Sequence, residues 1–213
     1  MPSPLPCDEE GKLTEEALWP ACQKLRDKDA CLIGPGLGRG QGIESVVLGL
    51  LETADMPVVL DADGLNAISA HMDRLNDRRG RVTILTPHEG EFARLGGDIS
   101  AEGRAAAAVG MALNYGCIVV LKGHKTVTAL PDGRAFVNST GNSGMAKGGS
   151  GDLLAGMILS LLGQGLKPEH AVVAAVWLHG RAGDLAAADK GEYGMIPTDL
   201  LEQIPYAIKE VTE

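Results

Sequence analysis

The chain has 213 residues, enough to bury one good-sized α/β core, and no stretch of it reads as a linker between two domains. Its net charge of −9 argues against a broad nucleic-acid surface, and no apolar run reaches the length of a membrane span. Aromatic residues make up only 3% of it, so Leu, Val, Ile, Ala and Met are expected to fill the core.

The first residues, Met1 to Gly11, are Pro-rich and polar and read as an extended connector, with no signal peptide. Cys31–Gly34 reads as a buried strand ending in glycine, and residues 43–54 as a helix. Residues 58–61 form a second strand, with a short helix from Gly64. A third strand is predicted at 82–85, followed by helices at HEGEFARL and at 101–114. Residues 117–121 are the strongest strand, and 126–130 with 134–137 read as a hairpin turning at Pro131-Asp132-Gly133. Helices are expected near 152–162, 169–188 and 198–209. Alternating strands and helices with continuous apolar strands predict a mostly parallel sheet covered on both faces. In such sheets ligands bind beyond the carboxyl ends of the strands. Cys7, Cys22, Cys31 and Cys117 lack C-x-x-C spacing, which argues against a zinc site or redox pair and suits a reducing cytoplasm.

Five loops carry candidate chemistry. The glycines of IGPGLGRG allow a tight turn close to a ligand, or merely a strand-to-helix turn. In DADGLN, Asp61 and Asp63 could hold Mg²⁺ through water, or Asp63 could cap a helix; Asn66 is a weaker candidate. In TPHEGEF, Glu89 and Glu91 are explained by the helix dipole alone, whereas His88 could hydrogen-bond a polar substrate or simply lie on the surface. Lys122 and Lys125 flank Gly123 and His124 and suit nucleotide phosphates, or form a solvated basic turn. The fifth loop, Asn142 to Gly156, is the most informative. Gly144, Gly148, Gly149 and Gly151 precede Asp152 and an apolar helix. Glycines ahead of a helix N-terminus make a phosphate cradle. Asp152 could be a plain N-cap, but a cap does not need four glycines, so a base beside a phosphoryl group is the favoured reading. His71 and His170 read as surface, and His179 and Trp177 as core. Gly180 and Gly183 are expected to admit a second helix closely.

Taken together and in order, GPGLGR, VLDADGLN, TPHEGEF, LKGHKT and NSGMAKGGSGD resemble the NAD(P)H-hydrate dehydratases, which repair hydrated NADH and NADPH. The resemblance runs from about Asp29 to Pro205 and implies a single ribokinase-like domain over 1–213, a three-layer sandwich with a mostly parallel central sheet and helices on both faces. It implies that a nucleotide phosphorylates the hydroxyl of the hydrated ring and that loss of phosphate restores the C=C bond. Asp152 would be the base, and backbone amides of Gly149, Ser150, Gly151 and Asp152 the anion hole. LKGHKT resembles the bacterial nucleotide loop, in which ADP is the donor and AMP a product. Lys122, Gly123, His124, Lys125 and Thr126 would hold the nucleotide with Gly151 beside it. Gly36, Gly38, His88 and Asp152 would face the hydrate. Mg²⁺ would bridge the phosphates without dedicated protein ligands. A homo-oligomer is expected, with no nucleic-acid or membrane partner. Family members usually carry a further front region with a strand, a Gly/Ala-rich loop and a helix, so this chain reads as N-terminally shortened. The competing readings are a superfamily kinase acting on a vitamin-precursor alcohol and a nucleotide-binding protein without catalysis.

Overall fold

The computed structural model describes residues 2–213. One six-stranded sheet organises the chain: β1 (Cys31–Ile33), β2 (Val58–Leu60), β3 (Thr83–Leu85), β4 (Ile118–Leu121), β5 (Val127–Ala129) and β6 (Ala135–Val137), in that spatial order. The first four strands pair in parallel; β5 and β6 turn back antiparallel as the predicted hairpin. β2, β3 and β4 are buried on both faces, which explains their unbroken apolar sequence.

Side chains alternate across the sheet with a period of two. Val58, Leu60, Leu85, Val119 and Leu121 face one core, built with α1 (Leu18–Leu25), α2 (Gln41–Thr53), α3 (Asp63–Ile68), α4 (Glu89–Arg94) and α5 (Gly103–Tyr115). Val59, Ile84, Ile118 and Val120 face the other, built with α6 (Ser150–Gly163), α7 (Pro168–Gly194) and α8 (Pro197–Thr212). The result is helix, sheet, helix in three layers, as the sequence predicts.

Several boundaries move. α6 begins two residues before the predicted start, and α7 runs past residue 188, interrupted at Gly191 with φ +72°. Helix α1 has no counterpart in the sequence reading. Its Pro20 falls in the first turn, where a missing N–H costs no hydrogen bond, so proline does not break it. Gly180 and Gly183 do admit a close neighbour, but it is the 140–145 segment and not a regular α-helix. A Cβ at Gly180 would lie 2.3 Å from Thr140 Oγ1, and one at Gly183 would lie 2.3 Å from Met145 Sδ. α7 thereby braces the segment that leads into α6.

Arg78 joins layers at the opposite end of the sheet. It is 1% exposed and donates to the carbonyls of Leu51 and Ala54 and to Thr83 Oγ1, at 2.5, 2.6 and 2.9 Å. Burial pulls its pKa down to about 10. No described helix is long and apolar enough to cross a membrane.

Candidate active site

The predicted loops converge at the carboxyl ends of β1 to β4. After β1 the chain crosses β2 with almost no clearance: a Cβ on Gly34 (φ +141°) would fall 1.7 Å from the Asp61 carbonyl oxygen. The glycine loop is fastened from the next strand, since the Gly38 amide donates to Asp63 Oδ2 at 2.8 Å. Asn66 donates to Asp63 Oδ1 at 3.3 Å. Asp63 therefore neither caps α3 nor waits for a cation; it ties the first loop to the second. Gly36 lies at the loop's apex with open space around its Cα.

At the end of β3, His88 is the N-cap of α4. Its Nδ1 accepts from the amides of Gly90 (3.0 Å) and Glu91 (3.2 Å). Glu91 returns the bond, accepting from the His88 amide at 2.8 Å in a reciprocal capping box. With Nδ1 occupied as an acceptor, a neutral ring carries its hydrogen on Nε2. The ring is half-exposed, and its Nε2 lies 3.5 Å from Glu91 Oε1.

Lys122, just after β4, reaches across the end of β3 to Asp61. Its Nζ lies 2.6 Å from Asp61 Oδ1, which also accepts from Thr86 Oγ1 at 2.8 Å. Asp61 is 1% exposed. This overturns one expectation for Asp61: the carboxylate is consumed by internal partners and is closed to a hydrated cation. Lys122 is likewise directed inward, and Gly123, His124 and Lys125 form the exposed part of the loop, with Thr126 partly buried. Lys125 adopts a left-handed φ of +54°, uncommon for a non-glycine residue, and Thr126 Oγ1 donates back to the Gly123 carbonyl at 3.0 Å.

The fifth loop ends at Gly149, the N-cap of α6, with φ +95°. Ser150, Gly151 and Asp152 are the first three helical residues. The Ser150 amide, expected in the anion hole, instead donates to the Lys147 carbonyl at 3.2 Å. The amides of Gly149, Gly151 and Asp152 find no acceptor among the described residues. Gly151 carries no Cβ where one would lie 3.2 Å from Lys122 Nζ. Asp152 is exposed in the first turn, makes no cap hydrogen bond and pairs with no cation among the described residues. The simple capping role is thus unfilled, and its carboxylate is free at the mouth of the site.

Behind this turn, His179 on α7 places Nε2 3.3 Å from Ser150 Oγ. Burial pushes its pKa down to about 4; the nearby Lys122 charge adds to this, and a hydrogen bond from the ring to the Ser150 backbone opposes it. Among the described residues no group of three or more His, Cys, Asp or Glu side chains is placed to hold a metal. Two clefts lie elsewhere. One of about 510 Å³, between Arg81, Ile118 and Lys167, opens at the amino ends of β3 and β4. The other, about 610 Å³, runs beside α1 between Trp19, Cys22 and Met56. The candidate site is instead an open rim of loops.

The profile of the family described as NAD(P)H-hydrate dehydratase matches residues 4–206. The chain belongs to that family. The bifunctional NAD(P)H-hydrate repair enzyme Nnr of Moorella thermoacetica is 42% identical over 216 residues, covering 100% of this chain and 41% of the relative. The ADP-dependent (S)-NAD(P)H-hydrate dehydratase of Neisseria meningitidis serogroup B is 45% identical over 173 residues, 79% of this chain and 58% of the relative. The chain therefore spans about two fifths to three fifths of the length of these two relatives.

Among solved structures, the ADP/ATP-dependent NAD(P)H-hydrate dehydratase from Bacillus subtilis, co-crystallised with ATP/Mg²⁺, aligns with TM-score 0.76 at 35% identity. The alignment covers 92% of this chain and 70% of that one. A ribokinase-like superfamily protein from Enterococcus faecalis aligns with TM-score 0.78 at 28% identity, covering 92% of this chain and 68% of that one. The fold is ribokinase-like. Sequence reasoning missed the Asp61–Lys122 pair and the Asp63–Gly38 tether. Both join loops far apart in the chain, and no local spacing signals them.

Proposed function

We propose that this family member, working as a single domain, dehydrates hydrated NADH and NADPH with ADP as phosphoryl donor, releasing AMP and phosphate. The observation that carries the reading is Asp152. It is an exposed carboxylate without an internal partner, adjoining the unpaired amides of Gly149 and Gly151 and its own, at the positive end of a 14-residue helix. An acid at this position with nothing to cap is suited to take a proton where phosphate is held.

In the proposed reaction the ring hydroxyl oxygen attacks the β-phosphorus of ADP, and Asp152 accepts the hydroxyl proton. The bond from that phosphorus to the bridging oxygen breaks, and its electrons leave with AMP. Amides of Gly149, Gly151 and Asp152 stabilise the charge on the transferring group. Phosphate then departs from the ring carbon, and a proton leaves the neighbouring carbon to restore the C=C bond. Gly36, Gly38 and the half-exposed His88 ring line the hydrate side; Gly123 to Thr126 receive the nucleotide, with the Lys125 ammonium toward its phosphates. Mg²⁺ would be carried by phosphate oxygens, because Asp61 and Asp63 are already engaged within the protein; it would neutralise phosphate charge there. The ADP-dependent Neisseria relative and the ADP/ATP-dependent Bacillus enzyme, co-crystallised with ATP/Mg²⁺, support an adenine nucleotide as donor. Four free cysteines support a reducing, cytoplasmic setting. A homo-oligomer would cover Leu201, Tyr206 and Val211, exposed apolar side chains of α8.

The test is chemical. Hydrated NADH incubated with the protein, ADP and Mg²⁺ should regain the absorbance of the reduced nicotinamide, and omission of ADP should prevent it. Asp152→Asn should lower this rate by about 10² to 10⁴-fold while ADP affinity stays near that of the native chain. An unchanged rate would remove Asp152 from the mechanism. Phosphorylation of an alcohol without NADH recovery would indicate a kinase instead.

A further inference from the structure

We propose that Asp61 is a positioning residue for phosphoryl transfer: its ion pair holds the Lys122 ammonium beneath the first turn of α6, where the positive charge reinforces the unpaired amides. This rests on the transfer reaction described above.

The geometry is specific. Asp61 ends β2 and Lys122 follows β4, so the lysine side chain must lie over the end of β3, the strand between them. Thr86, at that strand end, donates to the same Asp61 oxygen and helps to fix the carboxylate. Glu91 Oε2 stands 3.9 Å from Nζ and is itself held by the His88 amide. The ammonium is thereby bounded by two buried carboxylates and by Gly151, where a Cβ would lie 3.2 Å from Nζ. Gly151 and its neighbour Asp152 supply two of the unpaired amides. The backbone of Lys122 is anchored as well, its amide donating to the Pro87 carbonyl at 2.8 Å.

Stability alone is a poor reason to build this. Burying an ion pair costs desolvation that the attraction scarcely offsets, and apolar replacements often serve as well. A free lysine on a four-carbon stem would also be mobile, and its charge would be spread over many positions. Pairing with Asp61 confines the charge to one place. A preorganised charge aimed where negative charge develops costs no reorganisation when the reaction occurs. An ammonium has three N–H donors, and Asp61 is the one side chain within hydrogen-bonding distance of Nζ among the described residues, so further N–H directions remain for an anion held at the Gly151 turn.

The experiment compares the native chain with Asp61→Asn, Lys122→Met and the double variant Asp61→Asn/Lys122→Met. The double variant removes both charges together, so no buried ion is left unpaired. Two readouts are taken on folded protein, checked by thermal melting: kcat and KM with hydrated NADH and ADP, and binding of AMP with orthovanadate, a mimic of the transferring phosphoryl group. Asp61→Asn should lower kcat by about 10- to 100-fold with little change in KM for ADP. It should also weaken AMP–vanadate binding by about tenfold or more while AMP binding alone is kept. The double variant should be no worse than Lys122→Met, because the two residues act as one unit.

A merely structural pair would lower the melting temperature and leave both ratios unmoved. The proposal is overturned by any of three results: kcat and AMP–vanadate affinity within about twofold of native in Asp61→Asn or the double variant, multiplicative losses in the double variant, or no AMP–vanadate binding by the native chain. If the native chain restores no NADH yet binds AMP–vanadate in an Asp61-dependent way, the hydrate substrate is wrong and the role of Asp61 stands.

Discussion

Asp152 and His179 show how much a residue's meaning depends on its partners. Both sit at the start of α6 or against it. Asp152 has no internal partner and faces solvent, whereas His179 is buried against Ser150. Burial keeps the His179 ring neutral in the fold, with a pKa of about 4 against an ordinary value of 6.5. The unfolded chain therefore takes up a proton between these two values that the folded chain refuses. Stability should be undiminished by this group above pH 6.5 and should fall as the pH drops toward 4. The slope is at most about 1.4 kcal/mol per pH unit from this one residue. Urea melts at pH 5 and pH 7 should show it, and His179→Gln should flatten the difference by about 2 kcal/mol. An identical pH dependence in the variant would show that His179 does not control acid stability.

At the scale of elements, the site depends on how closely β1, β2 and their following loops approach. Gly34 lies against the Asp61 carbonyl, and a Cβ on Gly64 would lie 2.4 Å from the Ile33 carbonyl oxygen. These contacts bring the glycine loop down to Asp63 and bring Asp61 within reach of Lys122. Gly34→Ala should cost about 3 kcal/mol or more, because backbone must move to admit the methyl group. Gly36→Ala, also at positive φ but in open space, should cost only about 1 to 2 kcal/mol. Equal destabilisation of the two in denaturant melts would show that the β1–β2 crossing is not the constraint. The conformational need for glycine in this loop is legible in sequence. Which glycine is sterically locked is not, because the clash is with a carbonyl 27 residues away.

For the whole molecule, the net charge of −9 coexists with a proposed anion site built from unpaired amides at the start of α6 and from Lys125. Local geometry outweighs the global charge because long-range repulsion is screened beyond about 8 to 10 Å in ordinary buffers. ADP with Mg²⁺ should therefore bind and stabilise the fold by mass action. At a ligand concentration 100 times Kd the gain is about 2.7 kcal/mol, or a rise in melting temperature of about 5 to 10 °C for a chain of this size. Inorganic phosphate alone should give a much smaller shift. A melting temperature indifferent to ADP would remove the nucleotide site.

The amino-acid sequence alone determined the alternation of strands and helices, the parallel core of the sheet, the β5–β6 hairpin and the loops where chemistry was expected. These follow from local hydrophobic periods and turn residues, which act over a few positions at a time. Helix α1 escaped it because a proline in a first turn looks like a breaker until the helix is seen around it. Only the tertiary structure decided that Asp63 tethers Gly38, that Ser150 turns its amide to Lys147, and that Asp61 is sealed against Lys122 while Asp152 stays open. Each of those distinctions is a matter of which partner arrives from a distant loop, and burial and pairing at that point set what a carboxylate or an amide is free to do.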